Sequence, residues 1–167
     1  MKNAALAYWL IPDGAAGEFF AATIQSLARK FDAPTFDPHV TLFVAPENSR
    51  DPSQVIRESG TVNISLEATG VNSGNEFTKT LFVQFEESDA LQHLADAIFT
   101  LSGARLRHVI DPHLSLLYKN VSSAAARDLA AAINLPFSAV RFSSVRAVRC
   151  ALPTTNARDV AEWRTVA

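Results

Sequence analysis

Apolar residues along this chain recur in two spacings, one typical of helices and one typical of strands. An amphipathic helix is predicted early in the chain, where apolar residues lie three or four positions apart: Phe20, Ile24, Leu27 and Phe31. The apolar run that ends at Pro12 predicts a buried strand before this helix. After the helix, we expect a strand running to about Ala45, a short helix beginning at Asp51-Pro52, and a half-buried alternating strand over residues 62–68.

The second part of the chain repeats this alternation of strands and helices. A turn at residues 72–75 predicts that Phe77–Phe85 pairs back as a hairpin strand. Ser88 is a helix cap and Gly103 a stop, and the apolar positions between them share one face: Leu91, Leu94, Ile98 and Leu101. The remaining predicted elements are a helix from about Ser123 to Ile133, a strand from Phe137 to about Cys150, a turn at residues 153–156 and a last strand near Trp163. This order predicts an α+β fold with two antiparallel β-sheets and outer helices around a central cleft.

Two short segments of the chain are near copies of each other. Asp37–Phe43 and Asp111–Leu117 both read Asp-Pro-His, apolar, hydroxyl, apolar, apolar, and they lie a little under half the chain apart. Residues two apart on a strand point to the same face, so each segment presents its His and its Thr or Ser together. A pseudo-twofold fold would bring both pairs to one cleft.

The paired histidines and hydroxyls form a complete set of groups for splitting a phosphodiester without a metal ion. His39 and His113 can hold either protonation state near neutral pH, so one can act as base and the other as acid. Thr41 and Ser115 can donate hydrogen bonds to the phosphate oxygens. A metal site would need three or four ligands, and a hydroxyl is a poor one. We therefore expect no metal and no cofactor.

The other polar residues near the motifs have simpler interpretations. Asp37 and Asp111 precede proline and are expected to be turn or cap residues that set the entry into each strand. His93 falls off the apolar face of its helix and is expected to be solvated. His108 follows Arg105 and Arg107; it could help to attract a phosphate, although a solvated loop charge is the more ordinary expectation.

Composition agrees with a small soluble enzyme and decides little else. The chain has 167 residues and a formal net charge of −2, so it lacks the broad basic face that nucleic-acid-binding proteins usually show. Cys150 is the only cysteine, which excludes an intramolecular disulfide and favours a cytoplasmic location. Lys2 and the apolar run after it faintly resemble a secretory signal, but the run is short and contains Tyr8 and Trp9, so a buried strand is expected instead. No apolar run approaches transmembrane length, so we expect no membrane partner.

Four segments carry a resemblance to a known family: Tyr8–Pro12, Phe36–Thr41, Pro112–Tyr118 and Glu162–Ala167. Through them the chain resembles the two-histidine (2H) phosphoesterase superfamily, most closely its plant- and yeast-type cyclic phosphodiesterases. The resemblance touches both ends and both motifs, and it implies one bilobal, pseudo-twofold domain over residues 1–167. The implied substrates are ADP-ribose 1″,2″-cyclic phosphate and nucleoside 2′,3′-cyclic phosphates.

The resemblance also implies roles for individual residues. His113 would be the base and His39 the acid in the attack of water, while Tyr118 and Trp9 would border the cleft and hold a base or ribose. Apart from the resemblance, Phe77, Thr78 and Lys79 on the predicted hairpin are candidates to complete the pocket, although periodicity leaves open which face of that hairpin looks inward; Trp163 is expected in the core. The expected partner is a small cyclic nucleotide, with nucleic acid only as an RNA end, and the expected state is a monomer.

Three alternatives remain open at this point. One is an RNA-end 2′,3′-cyclic phosphodiesterase or a 2′–5′ RNA ligase-like enzyme, although its longer substrate would favour a basic groove that a net charge of −2 does not promise. The second is a non-catalytic nucleotide-binding module, and the third is a scaffold protein. The intact pair of histidine motifs argues against the non-catalytic module.

Overall fold

A computed structural model describes residues 1–107 and 109–167 of the chain, so the expectation for His108 lies outside the described residues. Strands and helices alternate as an α+β fold, as predicted. The strands are β1 (Asn3–Pro12), β2 (Val40–Pro46), β3 (Ile64–Ser73), β4 (Leu81–Phe85), β5 (His113–Leu117), β6 (Ala139–Leu152) and β7 (Arg164–Thr165). The helices are α1 (Gly14–Phe31), α2 (Pro52–Ser59), α3 (Asp89–Ser102), α4 (Ser123–Ala132) and α5 (Ala157–Ala161), with a short 3₁₀ helix over Phe77–Lys79.

The strands of the described chain form one antiparallel sheet in the order β1-β2-β5-β4-β3-β6-β7. Because β1 also pairs with β6, the first six strands of that order form a closed ring. The two expected sheets are therefore hydrogen-bonded into one at two joints. At the first joint β3 pairs with the beginning of β6, whose remaining length pairs with β1. At the second joint a single residue pair, Val40 opposite Leu114, connects β2 to β5. These two joints separate the ring into two halves that each carry one histidine motif.

The two halves have matching topology. Exchanging β1 with β4, β2 with β5 and β3 with β6 leaves the strand pairings of the ring unchanged. Two helix contacts also correspond, since α1 packs on β5 as α3 packs on β2, and α2 packs on β6 as α4 packs on β3. The match extends to single residues, because the β1–β2 ladder shifts register just before Trp9 and the β4–β5 ladder shifts just before Phe82. After the shift Trp9 lies opposite Thr41 and Phe82 lies opposite Ser115. The duplicated motif thus belongs to a duplicated structural unit.

Local sequence signals explain where the helices begin and end. Side-chain oxygens of Asp51, Ser88 and Ser122 accept hydrogen bonds from backbone N–H groups in the first turns of α2, α3 and α4. Gly103 ends α3 in the left-handed conformation, with φ of 71°, which glycine adopts without steric cost. The predicted apolar stripe of α1 is buried at Phe20, Ile24 and Leu27.

Two local expectations were wrong. Phe77–Lys79 is a 3₁₀ helix rather than strand, and β4 begins only at Leu81. The Thr80 hydroxyl bonds to the carbonyls of Glu76 and Lys119, which holds this turn against the end of β5. The turn at residues 153–156 leads into helix α5, which sequence reasoning missed, because the Asn156 side chain caps two backbone N–H groups.

One face of the ring packs against the helices to form the main core, and alternate residues of β1 show which face that is. Leu6, Tyr8 and Leu10 belong to the main core, whereas Ala7 and Trp9 belong to a smaller apolar cluster with Cys150 on the other face. Val40 and Leu114, the residues at the β2–β5 joint, are fully buried in the main core.

Truncating Leu114 to alanine should destabilise the protein strongly, because it leaves a cavity under the β2–β5 joint. The expected loss is about 2–5 kcal/mol of unfolding free energy, measured by chemical denaturation. Leu106→Ala is the matched control: that side chain is 85% exposed, so its truncation should cost less than about 0.5 kcal/mol. Equal effects of the two substitutions would show that the joint does not depend on packing at Leu114.

Candidate active site

Each Asp-Pro-His segment orients its own histidine. The residue before a proline is held extended, and in both segments its carbonyl accepts a hydrogen bond from the histidine two residues later. His39 Nδ1–H donates to the Asp37 carbonyl over 2.7 Å, and His113 Nδ1–H donates to the Asp111 carbonyl over 2.8 Å. In both rings this leaves Nε2 as the nitrogen available for proton exchange. In both segments the aspartate thus fixes its histidine through a backbone carbonyl at the entry to the strand.

The β2–β5 joint brings the two motifs together. Because Val40 lies opposite Leu114 and both face the core, the residues on either side of them face the opposite way. Extending this register by one residue on each side places His39 across from Ser115 and Thr41 across from His113. The two histidines are then diagonal neighbours, a relation in which Cα atoms are typically about 7–8 Å apart. All four side chains line one cavity of about 780 Å³.

His39 is the more enclosed of the two histidines. Only 6% of the residue is exposed, and its ring stacks on the Trp9 indole with centroids 3.7 Å apart and planes 8° from parallel. Burial and, to a smaller extent, the nearby His113 lower the His39 pKa to about 4, although the hydrogen bond that His39 donates to the Asp37 carbonyl opposes this. At neutral pH the His39 imidazole is therefore uncharged and can accept a proton.

His113 lies in a more open and more charged environment. Its side chain is 24% exposed, and its ring meets the Phe82 ring edge-on at 5.6 Å. Burial again lowers its pKa, though less than that of His39. The Asp111 carboxylate, 3.4 Å from Nδ1, favours the charged form, while Lys79 disfavours it. Of the two rings, His113 is the one more easily protonated.

The two hydroxyls of the motifs differ in their hydrogen bonds. Thr41 is half-buried on the cavity wall, and its hydroxyl has no hydrogen-bond partner among residues 1–107 and 109–167. Ser115 is buried and donates to the Thr78 carbonyl over 2.7 Å. Ser115 also interacts with the Tyr118 hydroxyl, whose pKa is raised by burial. Thr41 is thus free to donate to a ligand, while Ser115 would first have to rotate.

The three predicted rim residues all line the cavity, but as packed aromatic groups. Tyr118 is 3% exposed and stacks on Phe36 at 3.8 Å, while Phe77 lies tilted against Tyr118 at 6.0 Å. One face of Trp9 is occupied by His39. These contacts occupy one face of Trp9 and one face of Tyr118.

Sequence reasoning missed part of the wall. Trp163, expected in the core, is instead half-buried and lines the cavity, where it meets Trp9 edge-on at 5.2 Å and Tyr118 edge-on at 5.8 Å. Cys150 and the turn at residues 153–155 also border the cavity. The signal for Cys150 was its place in the alternation of β6, where Val148 and Cys150 share the face of Trp9.

Few charged groups face the cavity. Among the described residues that line it, Lys79 is the one lysine or arginine, and Glu76 and Asp111 are acidic. Asp37 is paired with Arg146 at 2.8 Å, and His93 is exposed on α3, as expected. In the described parts of the chain, no three His, Cys, Asp or Glu side chains are grouped closely enough to hold a metal ion. No helix there is long and apolar enough to cross a membrane.

Comparison with known proteins gives one consistent picture. A family model described as cyclic phosphodiesterase-like protein matches residues 4–167. The chain is 24% identical to a cyclic phosphodiesterase of Arabidopsis thaliana over 172 residues, an alignment that covers 100% of this chain and 95% of that one. The crystal structure of E. coli LigT in its apo form has a TM-score of 0.53 at 14% identity, covering 97% of this chain and 94% of LigT. LigT has the 2H phosphoesterase fold, and the likeness extends that fold to this chain.

The two histidines should titrate at different pH values, both below the ordinary value of about 6.5. Burial disfavours the imidazolium form, so His39 should lose its proton near pH 4 and His113 at a higher pH that is still below the ordinary one. Imidazole NMR signals followed against pH measure both values, with His39→Gln and His113→Gln variants for assignment. Two titrations near 6.5, as in the unfolded chain, would contradict the burial described above.

Proposed function

The chain belongs to the cyclic phosphodiesterase-like family of enzymes, and we propose that it hydrolyses a cyclic phosphodiester to a phosphomonoester without a metal ion. The observation that carries the proposal is the meeting of His39 with Thr41 and His113 with Ser115 at one cavity. Two imidazoles that face one cavity can serve both ends of an in-line displacement, and the hydroxyls beside them can serve its equatorial oxygens.

The proposed reaction is a single displacement at phosphorus. A neutral imidazole takes a proton from water as the water oxygen bonds to phosphorus, and an imidazolium gives a proton to the ester oxygen as its bond to phosphorus breaks. The ring of the cyclic phosphate opens to a monoester and a free hydroxyl. Each proton transfer of this kind contributes about 10²- to 10⁴-fold to the rate. The pair must therefore carry one proton, which gives a bell-shaped pH dependence.

The electrostatics favour His39 as the base and His113 as the acid. His39 is more deeply buried and stays neutral to lower pH, while the Asp111 carboxylate beside His113 helps to hold a proton there. This is the reverse of the assignment that family analogy implies. It follows from the unequal burial of the two rings, which the repeated sequence does not reveal.

We propose a nucleotide as the substrate, either ADP-ribose 1″,2″-cyclic phosphate or a nucleoside 2′,3′-cyclic phosphate. A cavity of about 780 Å³ is large for a cyclic phosphate alone, and its aromatic wall of Trp9, Phe77, Tyr118 and Trp163 suits a base or ribose. Side chains from both halves of the ring line this cavity, which supports the proposal that residues 1–167 act as one domain. Lys79 as the one cationic side chain on the described wall supports a small substrate over a long RNA.

Alanine substitutions should separate the roles of the four motif residues. His39→Ala and His113→Ala should each lower kcat about 10²- to 10⁴-fold, because each removes a proton-transfer group. Thr41→Ala should lower it about 10- to 1000-fold through loss of a donor to the developing oxyanion. Turnover is measured on 2′,3′-cyclic AMP by release of the monoester, and the double histidine variant should lose less than the product of the two single losses.

Ser115→Ala provides the internal comparison for Thr41→Ala. If Ser115 rotates to bind the phosphate, the two losses should be similar, whereas a serine that only holds the Thr78 carbonyl should give a smaller loss in kcat. A histidine variant with near wild-type turnover would contradict the proposed mechanism.

An activity panel in EDTA tests the reaction and its substrate together. We expect turnover of ADP-ribose 1″,2″-cyclic phosphate or a mononucleotide 2′,3′-cyclic phosphate at the same rate with and without EDTA, because the imidazole pair supplies both proton transfers. An RNA ending in a 2′,3′-cyclic phosphate is the third substrate of the panel. A strong preference for that RNA would favour the RNA-end alternative, and activity restored only by a divalent ion would contradict the metal-free mechanism.

A further inference from the structure

Lys79 occupies a distinctive place on the cavity wall. It ends the 3₁₀ helix Phe77–Lys79, its side chain is 25% exposed, and among the described residues that line the cavity it is the one lysine or arginine. Both imidazoles have lowered pKa values and are uncharged at neutral pH in the free protein. Among the described residues of the cavity wall, Lys79 is therefore the positively charged side chain that can attract an anionic substrate.

In the free protein Lys79 is held by two partners. Its ammonium group forms an ion pair with the Asp111 carboxylate and lies 4.6 Å from the centre of the Phe82 ring. The Phe82 ring in turn contacts His113 edge-on at 5.6 Å. Because the Asp111 side chain is 53% exposed, its ion pair with Lys79 is the weak, solvent-screened kind that exchanges readily for another anion.

Asp111 is shared between Lys79 and His113. The carboxylate oxygen Oδ2 that pairs with Lys79 also lies 3.4 Å from His113 Nδ1. The other oxygen, Oδ1, accepts from Gln84 Nε2 at 3.1 Å, and Gln84 also donates to the Pro112 carbonyl at 3.0 Å. Gln84 thus fixes the carboxylate from a side that does not involve Lys79, so Asp111 can stay next to His113 if Lys79 leaves.

We infer that Lys79 is a substrate-binding residue that moves from Asp111 to an anionic phosphate oxygen, and that Asp111 is a positioning residue left to act on His113. The inference rests on the proposed function and extends it with a binding cation and a coupling between substrate binding and the acid. The substrate class that it fits is a phosphate ester whose anionic oxygen comes within reach of Lys79.

The charges around His113 give the sign of this coupling. Lys79 lowers its pKa, while Asp111 and Glu76 raise it, and His39 is the other titratable group that faces it across the cavity. When Lys79 moves to the substrate, the Asp111 charge is no longer neutralised, and the bound phosphate adds a further negative charge. Both changes favour the protonated ring, so substrate binding prepares His113 to act as the acid.

Lys79→Met tests the binding role. We expect kcat/KM for the cyclic phosphate to fall about 10- to 100-fold, the range for one charged hydrogen bond, and the affinity for inorganic phosphate to fall about tenfold. Lys79→Arg keeps the cation and should remain within about tenfold of wild type. Lys30→Met removes a lysine from the end of α1, outside the cavity wall, and should change kcat/KM less than twofold.

The His113 NMR titration tests the coupling with a readout that folding defects do not mimic. In wild type, saturating inorganic phosphate should raise the His113 pKa. In Lys79→Met the pKa should already be raised without phosphate, because Asp111 has lost its counter-charge. In Asp111→Asn, where the amide oxygen can still accept from Gln84, it should be lowered, and the high-pH limb of the kcat/KM profile should move to lower pH.

The outcomes separate this inference from the proposed function. Normal wild-type turnover, together with Lys79→Met values within twofold of wild type and an unchanged His113 pKa, would overturn the role of Lys79 alone. No turnover of any cyclic phosphate by the wild-type protein would overturn the proposed function and this inference with it.

Discussion

The candidate site depends on one pair of residues, Val40 opposite Leu114, which joins β2 to β5. Both side chains are fully buried in the core, and each is the middle residue of a histidine motif. Their burial forces the flanking residues on both strands to face the opposite side of the sheet. A slip of one residue in this register would turn the histidines into the core, so the packing of two aliphatic side chains sets the geometry of the cavity.

Burial, more than any charge partner, determines the electrostatics of the cavity. Trp9 covers one face of His39, and the neighbouring aromatic residues exclude water around it, which keeps that ring neutral. His113 lies nearer to solvent and to Asp111, so the same chemical group has a different protonation tendency. Two copies of one sequence motif thereby become unequal partners, as a reaction that needs one base and one acid requires.

The two halves of the ring match closely in their backbone register and differ in the side chains that contact each histidine motif. Both histidines donate to the carbonyl of their own Asp-Pro segment, and the register shifts at Trp9 and Phe82 correspond. However, the Trp9 ring stacks flat on its histidine whereas the Phe82 ring meets its histidine edge-on. The carboxylate of Asp37 pairs with an arginine of β6, whereas that of Asp111 pairs with a lysine on the cavity wall. The shared backbone brings the groups together, and the unshared side chains distinguish their roles.

The sequence by itself determined the order of most strands and helices and singled out the four motif residues, because caps, apolar periodicity and a repeated seven-residue segment are local signals. It did not determine that the two sheets join into one ring, that Phe77–Lys79 is a 3₁₀ helix, or that Trp163 borders the cavity. Each of these depends on contacts between residues far apart in the chain, such as Val40 with Leu114 or Thr80 with Lys119. Tertiary structure also decided the unequal burial of His39 and His113, because the residues that pack around each copy of the motif come from distant parts of the chain.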